Sequence, residues 1–497
     1  MIEYKKFKSG TDIRGIAAEG VENEHINLTD DVIKAMTNGF LVWFCDKYNK
    51  SADKITVSVG HDSRISADRI KNAVISVLVK KGVKVLDCSL ASTPSMFMTT
   101  VVKGCDAAIQ ITASHHPFNR NGLKFFTRDG GVSGDDIVKM LENAQNASEV
   151  KDADGSITKI DFMSEYSKIL RDTIIKETGN EKPLEGLKII VDAGNGAGGF
   201  YAYQVLEPLG ADINGSQFLE PDGMFPNHIP NPENEVAMKA ISDATVANKA
   251  DLGVIFDTDV DRASCVSADG KEINRNRIVA LAAAIALENQ KGGTVVTDSV
   301  TSSGLKTFIE ENLGGKHLRF KRGYKNVIDE AVRLENEGIS APLAIETSGH
   351  AAFKENYFLD DGAYLITKII IKMANLKKKG MTIDELIADL KEPKDLVELR
   401  FKINEPDFRA YGEKVIADLF KYGEEKGMNI APDNHEGIRI SVNNGWFLLR
   451  LSVHDPIMPL NIESDDENGC KPIAKIIYEF LKSYDKLDLS AIENYIK

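Results

Sequence analysis

The chain has 497 residues, with 61 Lys and Arg against 75 Asp and Glu, a formal net charge of −14 at pH 7, and 42% hydrophobic and 27% charged residues. At roughly 150 residues per domain this length corresponds to about three or four domains, and the composition excludes collagen-like and largely disordered chains. The negative balance argues against a surface built to grip nucleic acid or anionic lipid, but it leaves room for small anionic ligands held in a local basic pocket.

In chain order, Ile55–Val59 predicts a strand and Ser66–Lys81 a helix with Ile70, Val74, Val77 and Leu78 on one face. Val83–Leu86 and Ala107–Ile111 predict two more strands. This βαβ rhythm implies a parallel sheet with helices on its faces. The rhythm restarts at Leu187–Val191, which enters the Gly-rich turn Asp192–Gly199 and then a helix. It restarts again at Thr294–Thr297, followed by a helix near Ser302–Glu311, the strand Leu318–Phe320, another helix and the strand Pro342–Ile345. Three blocks of similar size suggest a triplicated unit, on rhythm rather than identity. The last block differs. It has a helix near Phe408–Lys426, a hairpin of Gly437–Val442 and Trp446–Leu451 turning at Asn443-Asn444-Gly445, and a helix near Lys471–Leu481. The expected fold class is α/β: three similar α/β domains with mixed sheets plus a C-terminal α+β domain. The expected domains are 1–155, 156–261, 262–385 and 386–497, with the polar stretch Lys391–Lys394 as the last linker.

The longest apolar stretch, around Ile278–Leu287, is far short of the roughly 20 residues that span a bilayer, and residues 1–8 lack the apolar segment of a signal peptide. Five scattered cysteines without a CxxC pair indicate neither a disulfide framework nor a thiolate zinc site. A cytoplasmic protein is expected.

Four constellations follow predicted strands, one per block. Thr112–Lys124 crowds a hydroxyl, two imidazoles, two amides and a lysine around Ser114. It reads either as a serine nucleophile or phosphoserine with acid/base partners, or as a polar loop with local turns. Asp257, Asp259 and Asp261 place carboxylates at alternate positions, which suits a hard cation such as Mg²⁺; a solvated turn is the alternative. An EF-hand is excluded because Arg262 and Ala268 stand where Gly and Glu are required. Glu346 and Ser348 suit vicinal sugar hydroxyls and His350 a proton shuttle, although an N-cap by Ser348 explains the motif as well. Arg450 and Ser452 suit a phosphate cradle, or a surface arginine. Lys321–Lys325 sits at a strand-to-helix junction that favours phosphate, and Arg14 and Arg64 add guanidinium groups that an ordinary surface would also carry.

Together these motifs resemble the α-D-phosphohexomutase superfamily over essentially the whole chain, most closely its bacterial phosphomannomutase/phosphoglucomutase group. The serine loop T-A-S-H-x-P and N-G-x-K is matched from Thr112 to Lys124. The metal loop D-G-D-x-D-R is matched with Thr258 in place of Gly, and the sugar loop G-E-x-S-G-H with Ile345 in place of the leading Gly. Pro221–His228 also resembles a family segment. The fourth loop departs most, with Val453 and His454 replacing polar residues of R-x-S-[NG]-T-[EN]-P, and Tyr324 stands where His is frequent.

The resemblance implies a heart-shaped molecule with a central cleft and reversible phosphoryl transfer between the 1- and 6-positions of glucose or mannose phosphates. Phospho-Ser114 is the implied carrier, hexose 1,6-bisphosphate the intermediate and activator, and Mg²⁺ the cofactor, held by Asp257, Asp259, Asp261 and Ser114. Lys124, placed beside cationic neighbours, and His350 are the implied acid/base groups, and Arg262 supports the phosphoserine. Glu346 and Ser348 take the sugar; Arg450 and Ser452, with Arg14, Arg322, Tyr324 and His454, take the other phosphate. The partners implied are small hexose phosphates, with no nucleic acid and no membrane; the oligomeric state is unread. Alternatives are a phosphoglucosamine mutase, a haloacid-dehalogenase-type phosphatase using Asp257, and a sugar-phosphate-binding protein without activity.

Overall fold

The apolar spacing near residue 70 produces the helix Ala67–Lys80, which buries Ile70, Val74, Val77 and Leu78. The β-branched runs beside it form the mutually parallel strands Thr56–His61, Lys84–Leu90 and Ala107–Ile111. The computed structural model describes residues 2–452 and 455–497. The first sheet is mixed, as in the expected fold class, although the βαβ rhythm alone implied a parallel one: Ala107–Ile111 pairs antiparallel with Arg120–Thr127, which pairs antiparallel with Asp12–Ile16. Connection length explains this. Residues 112–119 are too few for a parallel crossover, which takes about a dozen or more.

The second sheet runs Glu272–Ile273, Ala263–Ser267, Leu252–Phe256, Ile189–Asp192, and only its last pair is parallel. Lys316–Phe320, Thr294–Asp298 and Leu343–Ile345 pair in parallel. The C-terminal sheet is antiparallel throughout, and its expected hairpin turns at Asn443 with φ 52°. After the Gly-rich turn the expected helix is a wide π-helical turn, Tyr201–Leu206. Pro208 has no N–H to give the Gln204 carbonyl, and Arg171 fills that carbonyl instead.

The chain forms two compact units: residues up to Ile285 with Ser348–Leu386, and Ala286–Thr347 with Ile387–Lys497. This is a different cut from the four expected domains, and it divides the 262–385 block. Lys391–Lys394, expected as a linker, belongs to the second unit, where Lys394 N donates to Ser464 O at 3.0 Å. In the first unit Phe40 of the helix Asp30–Tyr48 stacks on Phe125 at 5.0 Å. That helix meets the helix Gly134–Gln145 at Gly39, where a Cβ would lie 2.2 Å from the Met140 carbonyl oxygen. Among the described residues no helix is long and apolar enough to cross a membrane.

One buried ion pair ties the family-like Pro221–His228 segment to the second sheet. Asp192 accepts from His228 Nε2 at 2.9 Å, Gln217 Nε2 at 2.7 Å and Gly194 N at 2.8 Å. His228 Nδ1 faces the Ile229 carbonyl oxygen at 3.0 Å. Both ring nitrogens therefore face acceptors, which the imidazolium satisfies. Burial opposes that charge, but the bond to Asp192 outweighs it and the pKa lies above its ordinary 6.5. The resulting stability is fully present below the unfolded pKa of about 6.5 and is lost as pH rises through the folded value. His228→Gln should therefore cost about 3 kcal/mol near pH 6. In denaturant melts the gap from wild type should narrow as pH rises through the raised folded pKa; a gap that does not change with pH would mean that His228 is neutral in the native state.

Candidate active site

The serine loop and the acidic loop are both short connections between antiparallel strands of the first unit. Thr112 N donates to Gly122 O at 3.2 Å and Asp257 N to Arg262 O at 3.2 Å, so each loop is closed at its base. Ser114 is buried with φ 51°, and its N–H donates to Thr112 Oγ1 at 2.9 Å. Its hydroxyl donates to Asp257 Oδ2 at 3.2 Å and accepts from Arg262 Nη2 at 3.0 Å. The same Arg262 nitrogen donates to His115 Nδ1 at 2.7 Å, and Arg262 Nε donates to Asp257 Oδ2 at 3.2 Å. Burial, then Arg262, pushes His115 down to about 2, so it stays neutral and can accept that bond.

Asp257, Asp259 and Asp261 are fully buried, and each presents a carboxylate oxygen within 4.8 Å of the others. Burial, and then Asp261 and Asp259, push Asp257 well above the carboxylate range. Burial works the same way on Asp261, but the Lys124 ammonium, His350 and Arg262 overcome it and hold that carboxyl well below the range. Lys124 contacts Asp261 and lies 3.5 Å from Asp259. These close partners are carboxylates, where the sequence reading expected cationic neighbours. Asp259 Oδ1 and Asp261 Oδ1 are buried and have no hydrogen-bond partner. Orphaned carboxylate oxygens in an all-oxygen cluster fit a hard divalent cation.

His350 opens the return strand Ala351–Phe353. Its Nδ1 is 2.6 Å from Asp360 Oδ2 and 3.9 Å from Asp261 Oδ1. Burial disfavours its charge, but Asp360 and Asp261 prevail and raise it to about 9. It is thus cationic at neutral pH, not half-titrated as a shuttle would be. Ser348 Oγ is buried without a hydrogen-bond partner. Glu346 belongs to the second unit, where its Oε1 accepts from Gly323 N at 2.6 Å.

The expected phosphate-binding residues divide in the same way. In the first unit Arg14 donates to Asp12 Oδ2 at 2.9 Å and lies 3.5 Å from the Ala113 carbonyl, at the serine loop. In the second unit Glu436 gathers several groups: Ser299 Oγ at 2.6 Å, Arg322 N at 3.1 Å and Arg450 Nη1 at 3.6 Å. Arg450 is buried with Nε unpartnered, and Arg322 Nε is 3.4 Å from Asp298. Tyr324 begins the helix Tyr324–Asn336 after Gly323, whose φ is 106°. Ser452 Oγ accepts from Asp455 N at 3.2 Å. His454 lies outside the described residues.

Two neighbours escaped the sequence reading, as did the depth of a third. Asp360, ten positions from His350, has no local signal. Thr93 donates its hydroxyl to Asp259 Oδ2; its signal is the Ser92-Thr93-Pro94 helix start. Arg64, readable as a surface arginine, is 2% exposed.

A serine hydroxyl held between a guanidinium and a carboxylate, beside an acidic cluster on an α/β frame, is the arrangement of a phosphoryl-transfer protein. Residues 5–151, 164–270 and 274–393 match, in order, family models described as phosphoglucomutase/phosphomannomutase alpha/beta/alpha domains I, II and III. The chain is 30% identical over 468 residues to a phosphoglucomutase/phosphomannomutase of Thermococcus kodakarensis, covering 93% of this chain and 96% of that one. It is 27% identical over 456 residues to a phosphomannomutase/phosphoglucomutase of Pseudomonas syringae pv. tomato, covering 92% and 93%. The crystal structure of a phosphoglucomutase/phosphomannomutase family protein from Burkholderia thailandensis matches with a TM-score of 0.80 at 26% identity, covering 97% of this chain and 98% of that one. The chain belongs to the phosphoglucomutase/phosphomannomutase family. The resemblance read from the motifs is borne out, as is the fold class of three α/β domains followed by a domain with its own sheet.

The acidic cluster predicts a stabilisation without reference to turnover. Mg²⁺ at about 100 times its Kd should raise unfolding free energy by about 2.7 kcal/mol. Asp259→Asn should weaken that response in denaturant melts. If the variant keeps the full Mg²⁺ response, the cluster is not the metal site.

Proposed function

We propose that the protein is a hexose-phosphate mutase that moves a phosphoryl group between the 1- and 6-positions of glucose or mannose phosphates through phospho-Ser114, with hexose 1,6-bisphosphate as intermediate and activator. The observation that carries this reading is the convergence of Arg262 and Asp257 on Ser114 Oγ, with Lys124 tied to the same acidic cluster. A phosphatase using Asp257 as nucleophile is disfavoured, because Asp257 Oδ2 is engaged by Arg262 and Ser114.

In this reading phospho-Ser114 gives its phosphoryl group to a free hydroxyl of a hexose monophosphate. The P–Oγ bond breaks, the hydroxyl loses its proton and Ser114 regains one. After the bisphosphate turns round, the reverse step returns the other phosphoryl group to Ser114. Arg262 donates toward Oγ and steadies the negative charge gathering there. Lys124, acting as the neutral amine, takes the proton of the attacking hydroxyl, and His350, entering as a donor, protonates the sugar oxygen that leaves in the reverse step. Glu346 and Ser348 bind sugar hydroxyls. Arg450, Ser452, Arg322 and Tyr324 grip the phosphate that is not transferred, and Arg14 supports the serine loop. Asp257, Asp259 and Asp261 would hold Mg²⁺, which when bound neutralises charge on phosphoryl oxygens.

Purified protein treated with glucose 1,6-bisphosphate should carry one phosphoryl group on Ser114 by intact and peptide mass. Ser114→Ala should lose turnover by at least about a thousandfold; activity within about tenfold of wild type would overturn the assignment. Arg450→Ala removes a charge-assisted hydrogen bond worth about 1.5–3 kcal/mol. It should therefore raise KM for glucose 1-phosphate by roughly ten- to a hundredfold, and an unchanged KM would remove Arg450 from the binding set.

A further inference from the structure

We infer that Arg64 is a positioning residue of this site: its guanidinium clamps the serine loop from below and holds Ser114 in the left-handed backbone conformation that aims its hydroxyl at Asp257 and Arg262. The inference rests on the proposed role of Ser114.

Arg64 Nη1 donates to the carbonyl oxygens of Pro117 at 2.7 Å and Arg120 at 2.9 Å. Its Nη2 donates to the carbonyls of Ser114 and of His116, the latter at 2.6 Å. The remaining nitrogen, Nε, lies 3.2 Å from Asp62 Oδ2, and both side chains are fully buried. Asp62 is itself fixed, because its Oδ1 accepts from Arg64 N at 3.0 Å and its own N–H donates to Ile111 O at 3.0 Å. The Phe225 ring, 5.2 Å away, covers the guanidinium. The two terminal nitrogens thus send four bonds to one loop, while Nε faces Asp62 as an ion pair without a hydrogen bond.

Within the loop, His116 N bonds Ala113 O at 3.1 Å and Arg120 N bonds Pro117 O at 3.0 Å; neither restrains the Ser114 carbonyl. Ser114 has φ 51°, a conformation that costs a non-glycine residue of order 1 kcal/mol or more and persists only where surroundings over-determine it. Thr112 holds the Ser114 N–H and Asp257 and Arg262 its hydroxyl, and the bond from Arg64 fixes its carbonyl, the backbone group the loop itself leaves unrestrained. Arg64 makes no contact with Ser114 Oγ, so it acts through the backbone. A lysine has a compact ammonium in place of the planar five-donor fork and cannot serve four carbonyls.

The test uses the full chain carrying Arg64→Lys or Arg64→Ala, with kcat and KM for glucose 1-phosphate, amide hydrogen exchange, and peptide mass for phospho-Ser114. Arg64→Lys should lower kcat by about a hundredfold, the effect of displacing a reacting group by about 1 Å, with KM within about threefold of wild type. Exchange should accelerate only across residues 112–122. Guanidinium ion added to Arg64→Ala should restore part of the turnover. Accelerated exchange with unchanged kcat would overturn the inference, as would kcat and KM changing together, or protection lost throughout the first unit. If Arg64→Ala does not fold, Arg64→Lys decides alone. Failure of the underlying reading shows separately, as wild-type protein with no phosphate on Ser114 and an active Ser114→Ala.

Discussion

Three carboxylates buried within 4.8 Å of one another are the constraint around which the first unit is organised. At an effective dielectric constant of about 20, each ionised pair at that distance repels by roughly 3 kcal/mol, before any loss of hydration. Such a cluster persists only inside a shell of cations. Lys124 comes from the strand Arg120–Thr127, Arg262 from the acidic loop itself, and His350 from a segment some ninety positions later in the chain. Cluster and shell fix each other. The carboxylates raise His350, and the cations lower Asp261.

The serine and acidic loops share one construction. Each leaves a buried strand and returns along an antiparallel neighbour after a few residues, so its base is closed by the sheet. The turn within it requires left-handed backbone: Ser114 has φ 51° and Val260 φ 69°, and the sugar loop has Gly349 at φ 94°. For a β-branched residue this conformation is strongly disfavoured. Val260 is held there by full burial and by Gly362 N, which donates to its carbonyl at 3.1 Å. Rigid β-sheet connections thus do what flexible loops cannot, namely hold like charges at fixed short separations.

Much of this was legible in the sequence, and the reason is periodicity. The helix Ala67–Lys80 and the strands Ala107–Ile111 and Thr294–Asp298 follow apolar spacing that packing does not contest. The return strand Ala263–Ser267 was not legible. Ala-Ser-Cys-Val-Ser has neither bulk nor alternation, because both of its faces are buried. Strand direction is likewise absent from periodicity, so the mixed first sheet had to follow from loop length. The acidic triplet and Ser114 were readable as local motifs. Asp360, Thr93 and the depth of Arg64 were not, since pairing across sequence leaves no local pattern and an isolated arginine reads as surface. The surroundings of Lys124 failed for the same reason: its partners lie more than a hundred positions away.

Charge arithmetic then links the serine to the acidic cluster. Asp257, Asp259 and Asp261 bring up to three negative charges and Asp360 beside His350 a fourth, against three positive ones on Lys124, Arg262 and His350. The balance leaves little to offset a phosphoryl group on Ser114, which adds about −1.5 to −2. His115 and His116 do not supply the deficit: burial and neighbouring arginines hold both neutral, at about 2 and about 3. A divalent cation matches the added charge, and the unpartnered oxygens of Asp259 and Asp261 give it a place. In the proposed reading a phosphoryl group on Ser114 and that cation therefore favour each other, the cation binding the phosphorylated protein more tightly than the unphosphorylated one. In the proposed reading these side chains leave no positive charge to spare for a phosphorylated Ser114, and a divalent cation on the acidic cluster would supply it.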